Sequence, residues 1–266
     1  MKKILISGAS SGIGKALADQ LLQEGNEVFS LSRRILDREA YAAGGILYQI
    51  ACDITDSSSL AQAFKEISEK TGSLDLVFSN AGFGIAGPLA DTPKELVIRQ
   101  FDVNVFSAVE LIRQSIPLLE ETKGRILITS SVAAVVSLPF QSFYSASKAS
   151  LNMLALALNT ELKPLGIKVV SIMPGDVNTS FPDHRQQETD TESRFSQRSA
   201  HSVARMEKDE RTGTDPSIIA RKIIRISKKT NPKPFYGLGF FYRLVLLLFK
   251  LLPVRLTNWI VAKMYG

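Results

Sequence analysis

The sequence predicts an α/β protein built on one doubly wound parallel sheet of about seven strands, with helices on both faces. Three observations predict it. Short apolar runs alternate with amphipathic helical stretches along most of the 266 residues. A glycine-rich turn, Gly8-Ala9-Ser10-Ser11-Gly12-Ile13-Gly14, joins the first apolar run to the first helical stretch. The composition is 45% hydrophobic and 22% charged, that of a globular chain able to bury its own core.

Taken in order, the runs at 4–7, 27–31, 47–51, 74–78, 125–129 and 168–172 read as buried parallel strands. Helical patterns lie between them at 13–24, 59–70, 96–119 and 142–165. A further helix at 218–227 precedes a last edge strand over 232–236. Together these form one unit, 1–236. Within it, residues 181–214 are polar and read as a mobile excursion, helical in part, over the site defined below. Residues 237–266 form an apolar, basic C-terminal extension.

The net charge of +6 is unevenly spread. Residues 1–200 carry a net of −3 and residues 201–266 a net of +9, with no acid after Asp215. Such an excess suggests an anionic partner. No helix-turn-helix, zinc or heptad signal accompanies it, so nucleic acid is not expected. His184 and His201 have no companions at metal-ligand spacing, and no metal is expected. The single cysteine, Cys52, reads as a small buried hydrophobe; it allows no internal disulfide and fits a reducing compartment. After Lys2 and Lys3 the apolar run is too short for a signal-peptide core. The expected location is the cytoplasm, with peripheral contact to a membrane.

Glycines in the first strand-to-helix turn let backbone N–H groups approach a pyrophosphate, and the helix N-terminus adds its positive dipole end. A plain glycine turn would look the same in isolation; its place as the first βα turn of an α/β chain favours a dinucleotide site of Rossmann type. The end of the second strand selects between the two nicotinamide dinucleotides. An acid there would bind the ribose 2′-OH, whereas this chain has Ser32-Arg33-Arg34. Two guanidiniums pair a 2′-phosphate with forked hydrogen bonds, which points to NADP(H) over NAD(H).

Tyr144 and Lys148 are four apart, on one face of a helix. A free phenol, with a pKa of about 10, is a poor base at neutral pH. A nearby ammonium favours phenolate and is expected to lower that value. Such a pair gives a proton to a carbonyl oxygen or takes one from an alcohol. The same spacing is also common on ordinary helices.

With these motifs in order, the chain resembles the short-chain dehydrogenase/reductase family over almost all of residues 1–236. Gly8, Gly12 and Gly14 match its cofactor loop. Asp53, with Ile54 beside it, matches its adenine contact, and Asn80-Ala81-Gly82 its Asn-Ala-Gly segment. Ser131, thirteen before Tyr144, matches the catalytic serine, and Asn104 the helix asparagine. Pro174-Gly175-Asp176-Val177-Asn178-Thr179 matches the segment that wraps the nicotinamide. Ser79 departs from an asparagine common in the family, and Ser7 stands where many relatives have threonine. The resemblance implies Tyr144 as general acid/base and Lys148 as the group that lowers its pKa and binds the ribose. It implies Ser131 as donor to the substrate oxygen, Asn104 as holder of a water in a proton relay, and Thr179 as a carboxamide contact. Ser130 adjoins Ser131, and only one of two neighbours on a strand can face the site. The family also commonly forms dimers and tetramers, so a homo-oligomer is expected.

In the tail, Arg243 and Lys250 interrupt the apolar run 238–254, which suits a helix lying in a membrane interface better than one spanning it. Trp259 and Tyr265 in 256–265 suit the same boundary, and the bases favour anionic lipid. The tail could equally pack on the core, cap the pocket or meet another subunit. It is similar to tails of members acting on retinoids, steroids and acyl-dihydroxyacetone phosphate, which implies a lipophilic carbonyl or alcohol as substrate. Reduction of a 3-oxoacyl thioester on an acidic carrier, a non-catalytic NADP(H)-sensing scaffold and a membrane-organising protein are the competing readings. A sensor needs no Ser131, Tyr144, Lys148 and Asn104, and a membrane organiser needs no cofactor loop.

Overall fold

Val, Ile, Leu and Phe fill the strands without alternation because helices cover both faces of the sheet. The computed structural model describes residues 1–35, 44–187 and 192–266. Its strands are β1 (Lys3–Ser7), β2 (Glu27–Ser32), β3 (Ile46–Ala51), β4 (Leu76–Ser79), β5 (Ile85–Ala86), β6 (Arg125–Thr129), β7 (Lys168–Pro174), β8 (Gln186–Gln187) and β9 (Phe235–Leu238). Seven of them form one sheet in the order β3-β2-β1-β4-β6-β7-β9, every pair parallel. The short β5 and β8 pair separately. The helices are α1 (Gly12–Gln23), α2 (Ser57–Lys70), α3 (Lys94–Phe101), α4 (Ser107–Glu120), α5 (Ser142–Glu161), α6 (Ser196–Arg211), α7 (Pro216–Ser227), α8 (Phe240–Leu251) and α9 (Val254–Tyr265).

Side chains alternate across each strand and feed two cores. Leu5, Val77, Ile126 and Val169 pack with Leu60 and Phe64 of α2, Leu111 of α4 and Leu151 of α5. Ile4, Ile6, Phe78, Leu127 and Val170 pack with Leu17 and Leu21 of α1 and Ile219 and Ile223 of α7. Each such fully buried side chain contributes about 1.5–3 kcal/mol. The chain runs outward from β1 in both directions, to β2 and to β4. The crevice beyond their carboxyl ends is where open α/β sheets bind ligands.

The helical pattern at 96–119 is not one helix. It comprises α3, a π-turn over Asp102–Phe106 and α4; the wider turn inserts an extra residue that periodicity cannot register. The pattern at 142–165 ends as helix at Glu161, and a short 3₁₀ turn with Pro164 leads to Gly166 at φ +75°. The tail breaks at Gly239, φ +99°, and at Pro253 into α8 and α9. The last strand lies at Phe235–Leu238 rather than 232–236. In the described part of 181–214, α6 buries Val203 and Met206 against Ala86, Leu138 and Tyr265, so the polar segment has an apolar anchor.

Candidate active site

A cavity of about 860 Å³ opens beyond the carboxyl ends of the sheet strands. Every residue singled out above for cofactor or catalysis lines it except Ala9, Gly14, Asn104 and Asn178. Gly14 and Asn104 lie behind the wall.

Gly8 and Gly12 have φ of +69° and +54°, which other residues adopt at a cost. A Cβ on Gly14 would lie 2.2 Å from the Gly8 carbonyl oxygen and 2.6 Å from Asn80 Nδ2. Only glycine lets α1 start this close to β1. The N-cap residue Ser11 makes no side-chain cap, so the first amides of α1 stay open toward the cavity. Backbone approach, open amides and a helix N-terminus fit a pyrophosphate. Asn80 fastens the loop from below: Nδ2 donates to the Ser7 and Gly8 carbonyls at 3.3 and 3.4 Å, and Oδ1 accepts from Thr129 Oγ1 at 3.2 Å. Ser7 Oγ accepts the amides of Asn80 and Ala81 at 3.0 and 3.1 Å.

Arg33 and Arg34 stand exposed just past the end of β2, beside Ser32, whose hydroxyl donates to the Arg34 carbonyl at 2.7 Å. Asp53 turns its Oδ1 onto the Thr55 amide and hydroxyl at 3.0 and 2.8 Å. Thr179 lies against Gly12, where an added Cβ would meet its Cγ2 at 3.2 Å.

The strand end separates the two serines. Ser130 Oγ donates to the Lys148 carbonyl at 2.9 Å and is buried. Ser131 Oγ is hydrogen-bonded to Tyr144 and accepts the Ala133 amide at 3.1 Å. Lys148 Nζ donates to the Thr129 carbonyl at 2.9 Å and lies 5.8 Å from the Tyr144 ring centroid. The π-turn directs Asn104 inward, where it is 0% exposed. Its amide bonds both the N–H and the carbonyl of Phe83 at 3.0 Å, and donates to Ser147 Oγ at 3.0 Å. Ser147 in turn donates to the Tyr144 carbonyl at 2.8 Å.

The expected lowering of the Tyr144 pKa by Lys148 is corrected here. Burial pushes the phenol up to about 12, against the Ser131 hydrogen bond, with Glu210 and Asp176 adding to the rise and Arg185 opposing it. Burial also brings Lys148 down to about 8. Loss of water is the largest influence on both groups.

Five side chains at the site have no role in the sequence reading. Phe181 packs on Tyr144 with ring centroids 5.7 Å apart. Arg185 and Glu210 form a buried ion pair. Tyr242, from α8, donates to Asp176, and its ring lies where a Cβ on Gly175 would be. Asp176 was the one with a signal: an acid inside the nicotinamide segment. Val245 and Phe249 of α8, Leu252 just after it, and Val261 and Met264 of α9 complete an apolar wall of the cavity.

A family model described as short chain dehydrogenase matches residues 2–190. The 3-ketodihydrosphingosine reductase of Bacteroides thetaiotaomicron is 35% identical over 235 residues, covering 87% of this chain and 85% of that protein. The NADPH-dependent 1-acyldihydroxyacetone phosphate reductase of Saccharomyces cerevisiae is 34% identical over 190 residues, covering 69% of this chain and 64% of that one. A solved short-chain dehydrogenase from Streptomyces avermitilis superposes with a TM-score of 0.83 at 26% identity, covering 99% of this chain and 98% of that one.

Proposed function

The chain belongs to the short-chain dehydrogenase family, and within it we propose an NADP(H)-dependent reductase of a lipophilic ketone or aldehyde, with Tyr144 as the proton donor. One observation carries this reading. The Tyr144 phenol, bonded to Ser131, stands in a cavity with the glycine loop along one part and apolar side chains of α8 and α9 along another. The relatives named above support a lipid-like carbonyl, and the yeast enzyme's name supports NADPH.

When bound, a nicotinamide would supply the hydride. Tyr144 delivers the proton to the carbonyl oxygen, and its raised pKa keeps it protonated for that task. Ser131 donates to the same oxygen as negative charge builds on it. Lys148 would hold the ribose, with Asn104 behind it as part of the proton relay. The open amides of α1 would hold the pyrophosphate, and Arg33 and Arg34 would pair the 2′-phosphate. Replacing Tyr144 by Phe should cut NADPH oxidation on a ladder of straight-chain 2-ketones at least about 100-fold, with NADPH affinity by calorimetry unchanged. Loss of affinity together with turnover would mean that Tyr144 is structural.

The tail supports a membrane partner. Among the described residues no helix is long and apolar enough to cross a bilayer. The outer face of α8 and α9 exposes Phe240, Leu244, Leu247, Leu251, Val254 and Trp259. Arg243, Lys250, Arg255 and Lys263 stand exposed beside them with no acid in either helix, which matches an anionic bilayer surface. Arg243→Glu, Lys250→Glu and Arg255→Glu together should abolish sedimentation with phosphatidylglycerol vesicles; unchanged sedimentation would refute this. The exposed Phe106, Val109, Met153 and Leu156 similarly suit a second copy of the chain.

A further inference from the structure

Arg185 lies in the polar segment to which the sequence assigns no chemistry, yet its side chain is 0% exposed. Nη2 donates to both carboxylate oxygens of Glu210 on α6, at 2.5 and 2.7 Å. Glu207 stands 3.9 Å from Nη1, which itself has no hydrogen-bond partner among the described residues. With its amide oxygen turned to the guanidinium, Gln141 accepts from Nε at 3.2 Å and Nη2 at 3.3 Å. Gln141 is the residue that precedes α5, the helix of Tyr144. The guanidinium also covers the Phe181 ring, 5.6 Å from its centroid, and Phe181 leans on Tyr144. Guanidinium, phenyl and phenol thus form one column, clamped at its far end to α6 and to the start of α5.

Burying an ion pair costs several kcal/mol per ion before the Coulombic gain, and apolar residues of like volume often serve stability as well. A simple tie between α6 and the wall therefore needs no arginine. We propose that Arg185 is a positioning residue for the proton transfer: held by Glu210 and Gln141, it presses Phe181 against Tyr144 and so fixes where a carbonyl can approach the phenol. This rests on Tyr144 as the proton-transfer residue. The pair also acts on the phenol at a distance, since Glu210 raises the Tyr144 pKa and Arg185 lowers it. The other polar groups that face Tyr144 are Asp176, Lys148 and Ser131; those that face the pair are Glu207, Asp176 and Gln141.

The test uses full-length Arg185→Met/Glu210→Met, a volume-matched apolar replacement, beside Glu210→Gln and Tyr144→Phe. Melting temperature, kcat and KM for reduction, and the pH profile of alcohol oxidation are measured for each. The double variant should melt as the parent does but lose between about tenfold and about a hundredfold in kcat, with KM for NADPH unchanged. A folded double variant with parental kcat overturns the proposal. Glu210→Gln leaves the guanidinium unbalanced, so the oxidation profile should move to lower pH by up to about one unit. This arm holds even if the double variant fails to fold, and an unmoved profile overturns the proposal. If Tyr144→Phe keeps its turnover, the underlying reading fails instead; if it is inactive while both Arg185–Glu210 arms look parental, only the positioning role fails.

Discussion

Replacing Gly175 by Ala probes how the C-terminal helices are fastened to the cofactor segment. Gly175 is not among the glycines with positive φ, so alanine suits its backbone and the cost is spatial. The added Cβ would lie 2.2 Å from Tyr242 Cε2 and 2.3 Å from Cδ2 and Cζ. Carbon atoms pack at about 3.5–4.0 Å, so the ring must leave by more than about 1 Å, and its phenol must release Asp176. Overpacking costs about 1–3 kcal/mol, and a lost hydrogen bond to a charged group about 1.5–3 kcal/mol. Burial raises the Asp176 pKa, so the orphaned carboxylate has little water to replace the donor. A loss of about 3 kcal/mol lowers Tm by roughly 6–12 °C for a chain of this size. Calorimetric melting of Gly175→Ala, Tyr242→Ala and the double variant decides the matter. Removing the ring removes the clash, so Gly175→Ala should cost less than about 0.5 kcal/mol in the Tyr242→Ala background. Equal costs in both backgrounds would refute the assignment.

Three further outcomes are expected. In the cofactor-free protein, phenolate absorbance of the parent minus that of Tyr144→Phe should show no Tyr144 titration below about pH 10, and a step near neutrality would mean that the Lys148 charge outweighs burial after all. Lys148 itself is held at about 8, below its ordinary 10.5, so between those values the unfolded chain binds more protons and stability rises with pH. Lys148→Met should remove that rise, worth at most about 3 kcal/mol in urea midpoint analysis. Arg33→Ala with Arg34→Ala should erode the NADPH-over-NADH preference at least about tenfold, and an unchanged ratio of affinities would sink the 2′-phosphate assignment.

The sheet was legible because its strands are buried on both faces and read as continuous apolar runs between turn signals. The glycine loop was legible because its chemistry is local: three glycines and a helix start within seven residues. The π-turn was not, since an apolar stripe continues across one inserted residue, yet that residue brings Asn104 to Phe83. Ser130 and Ser131 could not be separated by identity; their order on the end of β6 decides which hydroxyl meets Tyr144. The direction in which the Tyr144 phenol shifts was not legible either, because the water it loses on burial is not written in the sequence.

The tail marks the division most clearly. Its apolar and basic character is written in residues 237–266, but an amphipathic pattern states only that two faces differ. That Tyr242 reaches Asp176 across 66 positions, and that Arg185 meets Glu210 across 25, are facts of three-dimensional packing. By itself the sequence determined the alternation of strand and helix, and with it the sheet, because those depend on neighbours within a few residues. Only the tertiary structure decided the wall of the cavity and the environment of the Tyr144 phenol, because burial and long-range pairing arise when distant segments exclude water together.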